Sequence, residues 1–291
     1  MLMDAVESVW KDRTLVRWVC TQWCNYSCSY CNQEHSRKQT YRGKPGHWAD
    51  NASVDCWLTA FNAIPNLSLI ITGGEPFVDR KSMKPFLEGL AAASVKIDTN
   101  GSWDPYEWKP PKCDPLLLVS YHPEQVHEDF FFHQLRAISL FGWRIGAVNV
   151  VAKSGQLNVL PRLQARCNEA GTVLSVLPLD GNLNSYTPNE QLELRNYIPC
   201  IYADIRTGSS PMGKPCLHPS VAYKVYPDGS AEVGCYPRKI GSVFDGLPKR
   251  LHGYTPCPHS SCFCIEKFSF LQELSVNLSP MPMVDYARRL L

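Results

Sequence analysis

The sequence predicts an α/β protein built on a parallel sheet, followed by a small cysteine-rich domain. Three observations carry this. From residue 14, six short apolar runs alternate with longer, mostly amphipathic segments. After about residue 180 the alternation stops, and Pro, Gly and Cys take over through residue 264. The 13 cysteines of the 291-residue chain are also unevenly placed: Cys24, Cys28 and Cys31 form one tight group, and five more lie from Cys216 to Cys264.

Taken in order, the runs at 14–20, 67–72, 94–100, 115–120, 144–152 and 172–179 read as buried strands, because near-continuous apolar stretches of this length fit a sheet covered on both faces. Helical patterns occupy 53–64, 80–93, 128–141 and 155–170. The 101–114 connection, broken by Pro105, Pro110 and Pro111, is less regular. Strands alternating with helices imply parallel pairing, either curled as a partial barrel or wound as an open sheet. In both, function is expected at the carboxyl ends of the strands. The segment around Pro227, Asp228 and Gly229 has apolar alternation on both sides of a turn and predicts a hairpin. A short helix is expected near 266–278. The composition shift sets the expected boundary, a barrel at 1–190 and a cysteine-rich domain at 191–291.

Charge excludes some functions. The 29 Lys and Arg nearly cancel the 27 Asp and Glu, so no overall field marks a polyanion binder, and nucleic acid is not an expected partner. The first 20 residues carry too many charges for a signal peptide, and no window approaches the roughly 20 apolar residues of a membrane span. A soluble, cytoplasmic protein is expected. In a reducing compartment, clustered cysteines read as metal ligands rather than disulfides. The scattered Cys20, Cys56, Cys113, Cys167 and Cys200 read as buried packing residues.

The group C-N-Y-S-C-S-Y-C places Cys24, Cys28 and Cys31 directly after the first strand. Three thiolates at this spacing suit three corners of an iron-sulfur cubane and leave one iron open. A structural zinc would need a fourth ligand, for which His35 is the nearby residue. The spacing C-x3-C-x2-C, with aromatic Tyr30 before the third Cys, resembles the radical SAM superfamily signature, and Thr72-Gly73-Gly74-Glu75-Pro76 after the second strand resembles its GGEP-like turn.

The resemblance covers residues 14 to about 180 and implies a partial (β/α)6 barrel. It also implies a [4Fe-4S] cluster whose open iron is chelated by S-adenosylmethionine (SAM), with Tyr30 beside the adenine. The turn Gly73, Gly74, Glu75 and Pro76 would bind the methionine amino group: an ammonium needs acceptors, which Glu75 and the turn carbonyls supply. Family analogues of later strand ends contact SAM or substrate, which nominates Asn100, Ser120 and Asn149 for the cofactor and His122 and Tyr121 for substrate. His122 has the pKa to act as acid or base near neutral pH. The loop at 32–48 carries Arg37, Lys38, Arg42 and Lys44, which either meet a substrate anion or form a solvated face.

Cys216, Cys235, Cys257, Cys262 and Cys264 surround the predicted hairpin and resemble the auxiliary-cluster modules called SPASM and, in the shorter form, twitch. Five cysteines suit one auxiliary [4Fe-4S] cluster, with Cys262 and Cys264 competing for the last position; four thiolates would equally hold a tetrahedral zinc. The implied activity is reductive cleavage of SAM to a 5′-deoxyadenosyl radical that abstracts hydrogen from substrate and leads to its oxidation. A sugar or cyclitol is the favoured substrate, and flavodoxin or ferredoxin the expected electron donor. The alternatives are a peptide maturase that installs a crosslink or thioether, and a non-catalytic metal-binding interaction module.

Overall fold

Strand β1 (Thr14–Thr21) is buried along nearly its whole length, as an apolar run covered on both faces must be. The structure, a computed structural model, describes residues 13–31, 40–41, 44–92, 94–179, 185–194, 196–197, 212–213, 215–216, 222–233, 239–247 and 255–257. After β1 come α1 (Val54–Asn62), β2 (Leu67–Gly73), α2 (Arg80–Gly89), β3 (Ser94–Thr99), β4 (Leu116–Tyr121), α3 (Glu128–Leu140), β5 (Arg144–Ala152), α4 (Leu160–Glu169), β6 (Val173–Pro178) and α5 (Pro188–Leu194). All six expected strands are present, and the four expected helices start and stop within a few residues of the sequence reading. Ser53 caps α1 by accepting from the Cys56 N–H, and Asp79 caps α2 by accepting from Ser82. The expected helix at 80–93 stops at Gly89, where a Cβ would lie 2.6 Å from Leu58 on α1.

The carboxy-terminal hairpin is formed by β7 (Ala222–Val225) and β8 (Ser230–Val233), with β9 (Lys239–Ser242) antiparallel beside it. Gly229 supplies the positive φ of 79° that its turn requires. Among the described residues these strands and the first six make one sheet in the order β9-β8-β7-β1-β2-β3-β4-β5-β6. Strands β1 to β6 are parallel and lie in chain order. Crossovers that all step the same way and are right-handed place their helices on one face, which is barrel-type winding rather than the doubly wound open sheet. The sheet does not close, since β1 pairs with β7 on its far side, parallel, with Leu15 opposite Ala222 and Trp18 opposite Val225.

The hairpin expected within a separate domain therefore extends the same sheet as the barrel strands. The turn after β9 also packs on α1: Phe244 meets Trp57 at 4.7 Å between ring centroids. The predicted helix near 266–278, Cys200, and Cys235, Cys262 and Cys264 lie outside the described residues, as do His35, Arg37, Lys38 and Arg42.

The core lies between the sheet and its helices. Trp18 of β1 touches Trp48, Trp57, Phe61 and Phe86 at centroid distances of 4.9 to 5.2 Å, so one strand residue locks α1 and α2 onto the sheet. Alternate residues such as Val119, Tyr121, Val148, Val150 and Val176 point into this core. The intervening residues, among them Ser120, Asn149 and Ser175, therefore occupy the helix-free face. Cys20 and Cys167 are buried as expected and Cys113 is half-buried, whereas Cys56 is exposed on α1 and is not a packing residue. No helix among the described residues is long and apolar enough to cross a membrane.

Candidate functional site

The segment Gln22–Cys31 leaves the carboxyl end of β1, where the turn after β2 lies against it. Gly74 N–H donates to the Thr21 carbonyl at 2.8 Å and Glu75 N–H to the Trp23 carbonyl at 2.7 Å. The two glycines make this approach possible. A Cβ on Gly73 would lie 2.4 Å from the Thr21 carbonyl oxygen, and one on Gly74 2.0 Å from that of Trp23. Gly73 and Gly74 thus sit beside the backbone that enters Cys24, and Pro76 opens the short 3-10 turn Pro76–Asp79 that follows.

Glu75 is only 2% exposed. Its carboxylate accepts from Phe77 N–H at 3.0 Å, the Thr99 hydroxyl at 2.8 Å and Asn100 N–H at 2.7 Å, which ties the end of β2 to the end of β3. Burial pushes its pKa up to about 7, against the pull of these donors. The sequence reading gave Glu75 a direct contact with an ammonium; in the structure its oxygens brace two strand ends.

The cysteine loop is held by three further strand ends. Beyond β3, the Asn100 amide donates to Asn25 Oδ1 at 2.9 Å and lies 4.0 Å from Cys24 Sγ, while Asn25 donates to Ser102 Oγ at 2.8 Å. Beyond β4, Gln125 accepts from Ser27 N–H at 3.1 Å, and Glu124 accepts from the N–H and hydroxyl of Ser29 at 2.8 and 2.7 Å. Beyond β5, Lys153 pairs with Glu124 and places its ammonium 4.8 Å from the Tyr30 ring centroid. Lys153 and Ser29 hold Glu124 down at about 2. The Tyr30 hydroxyl lies 3.1 Å from His122 Nδ1.

These contacts bring Cys24, Cys28, Cys31, Tyr30, Gly73, Gly74, Glu75, Pro76, Asn100 and His122 to one rim. Tyr121 is not among them. Its ring packs 4.9 Å from Phe131 on the helix side of the sheet, so the substrate-facing role expected of it does not match its placement. Ser120 and Asn149 are in register, and Asn149 is in register with Ser175 of β6. All three are half-buried on the helix-free face, and none has a side-chain hydrogen bond among the described residues. The sequence reading did not include Ser175, although a lone Ser in the run TVLSVLPL was a visible signal. Asn25, Glu124 and Lys153 had no local signal, because only the fold brings them to the loop.

The thiols suit a cationic metal group. Burial pushes Cys28 up to about 11, with added repulsion from Cys24 and Cys31, and burial raises Cys24 too. Close thiolates that repel one another are relieved by bound iron. No three Cys, His, Asp or Glu side chains among the described residues converge on one metal ion. A cubane asks for a different arrangement, since each thiolate takes its own iron. Near the carboxyl end, the two-residue ladder Pro215–Cys216 with Thr255–Pro256 sets Cys216 opposite Thr255, two residues before the buried Cys257.

No family model and no curated protein matches the chain. Among solved structures, it is similar to the crystal structure of BtrN in complex with AdoMet and 2-DOIA, at 17% identity and a TM-score of 0.39 over 80% of this chain and 79% of that one. A likeness at that score carries no assignment, and the chain's own residues must supply one.

Two groups, the buried Glu75 and the half-buried His122, make opposite contributions to stability as pH changes. Burial lowers His122 from 6.5 to about 4, so its contribution is complete above pH 6.5 and is lost as pH falls through 4. Glu75, raised from 4.5 to about 7, contributes below pH 4.5 and loses that contribution as pH rises through 7. Each shift corresponds to roughly 3 kcal/mol. Urea unfolding of His122→Phe is expected to give stability that falls from pH 4.5 to 7, and Glu75→Gln stability that falls from pH 6.5 to 4. Identical pH profiles for the two variants would contradict these environments.

Proposed function

We propose that the protein is a radical SAM enzyme. One observation carries the reading: the Cys24, Cys28, Cys31 loop leaves the carboxyl end of β1 with the Gly73-Gly74 turn against its backbone. Two motifs that sequence alone could only read separately thus lie against each other, backbone to backbone. The three cysteines would hold a [4Fe-4S] cluster, and the carbonyls of the Gly73 to Pro76 turn would accept from the SAM ammonium. Glu75 holds that turn in place through its three internal donors. When bound, the cluster and SAM supply a reductive cleavage that yields a carbon-centred radical for hydrogen abstraction.

The chain's residues position what reacts. Tyr30, with Lys153 over its ring, would flank the adenine. Asn100 holds Cys24 and Asn25 in place. Ser120, Asn149 and Ser175 offer hydroxyl and amide groups that are unpaired among the described residues, bordered along β5 and β6 by Ala147 and Val173 on one side and Val151 and Leu177 on the other. An uncharged polar row between apolar rows suits hydroxyl-bearing ligands, which supports oxidation of a neutral small molecule such as a sugar or cyclitol. An auxiliary [4Fe-4S] cluster on Cys216, Cys235, Cys257 and one of Cys262 and Cys264 would accept the substrate's electron. A cytoplasmic flavodoxin or ferredoxin would be the donor.

The test is anaerobic turnover of reconstituted protein with SAM, reductant and a panel of neutral sugars and cyclitols, alongside peptides. The expected result is 5′-deoxyadenosine formed in step with a carbonyl product from a neutral polyol. A crosslinked peptide would replace the substrate assignment with that of a maturase. Absence of 5′-deoxyadenosine under every condition would remove the radical SAM reading itself.

A further inference from the structure

Trp23 precedes Cys24 in the chain, and its buried indole nitrogen has no hydrogen-bond partner among the described residues. Its direction therefore depends on packing. The ring it meets is His47, stacked 4.5 Å away at an interplanar angle of 11°. His47 is 2% exposed, and its Nε2 lies 3.0 Å from Asp79 Oδ2. A carboxylate only accepts, so Nε2 carries the proton. His47 Nδ1 is buried without a partner among the described residues, so the Asp79 bond is the imidazole's polar restraint there, beside its ring contacts with Trp23 and Trp48.

Asp79 is itself fixed, because its other oxygen accepts from Ser82 N–H at the start of α2. Nothing in the proposed chemistry uses this pair. Its place in the fold is nevertheless specific: it joins the cap of α2 to the residue before Cys24.

We propose that His47, oriented by Asp79 and stacked on Trp23, is a positioning residue that sets the direction of the Cys24 thiol. The Trp23 backbone is already pinned by Glu75 N–H at its carbonyl and by Thr21 Oγ1 at its own N–H. With the ring pinned as well, the chain entering Cys24 has one orientation before any metal arrives. The inference rests on the radical SAM reading only for the purpose of that orientation, since the stack and the bond belong to the metal-free chain.

The test is alkylation of the full metal-free chain by iodoacetamide, followed for each cysteine by peptide mass spectrometry. His47→Gln keeps a donor for Asp79 but loses the stack, and His47→Phe keeps the stack but loses the donor. In His47→Gln, Cys24 labelling is expected to rise on the order of tenfold through local opening, while Cys28 and Cys31 change by less than about twofold. His47→Phe should show a smaller rise confined to Cys24. Asp79→Asn, which retains a capping side chain, should move the same way and serves if the histidine variants do not fold. Unchanged Cys24 labelling in the folded variants would overturn the proposal. So would a uniform rise at all three cysteines with lowered melting temperature, which is the pattern of a merely structural residue. Because no cluster or SAM is involved, failure here leaves the enzymatic reading untouched, and failure of that reading leaves this result standing.

Discussion

Replacing Cys24, Cys28 and Cys31 together by Ala is expected to abolish SAM cleavage and, with the proposed auxiliary cluster giving an expected total of roughly eight irons per chain, to remove about half of the iron. The size of the effect follows from the donor set, because no other cysteine lies on this loop. The chain itself should fold. Cys24 is half-buried and Cys31 exposed, so their side chains add little to the core, and only Cys28 loses buried contacts. The metal-free variant should therefore unfold within about 2 kcal/mol of the parent. Iron analysis, 5′-deoxyadenosine and urea unfolding on the same preparation read all three quantities. Residual SAM cleavage in the folded triple variant would place the cluster elsewhere.

Gly74→Ala should be nearly as damaging although it removes no functional group. The new Cβ would meet the Trp23 carbonyl oxygen at 2.0 Å and its carbon at 2.4 Å. Both are backbone atoms of the cysteine loop and cannot rotate away. Either the turn or the loop must shift, breaking the 2.7 Å bond from Glu75 N–H to Trp23. Overpacking of this kind costs about 1 to 3 kcal/mol. A displacement near 1 Å between the turn and the thiols is expected to lower the SAM-cleavage rate by on the order of 10²-fold. Single-turnover kinetics at saturating SAM measures this separately from affinity, and a near-normal rate would mean that the close approach is incidental.

The alternation of strands and helices was legible because buried parallel strands are apolar on both faces, and β1 and β2 announce themselves that way. Periodicity alone left barrel and open sheet undecided, since both windings share the same local pattern, and the partial barrel was expected only from the motif resemblance. Strand order decides between them and depends on long-range pairing. The hairpin around Gly229 was equally visible, but its parallel docking on β1 was not, because nothing local in Ala222–Val225 specifies a partner more than 200 residues earlier. In the candidate site, the cysteines and glycines were legible as types at a spacing. Glu75 was legible as a site residue but not as a brace, for Thr99 and Asn100 reach it only through the fold. Tyr121 misled for a simpler reason. Adjacent strand residues face opposite sides, and its neighbour Ser120 takes the helix-free one.

The central claim is that these cysteines hold a cluster with an iron open to SAM. Electron paramagnetic resonance of the anaerobically reconstituted and reduced protein, recorded with and without SAM, tests it most directly. The account predicts a reduced [4Fe-4S] signal with one component whose g values change when SAM is added and do not change with adenosine. A spectrum identical at saturating SAM, or the lack of any reduced [4Fe-4S] signal, would contradict it.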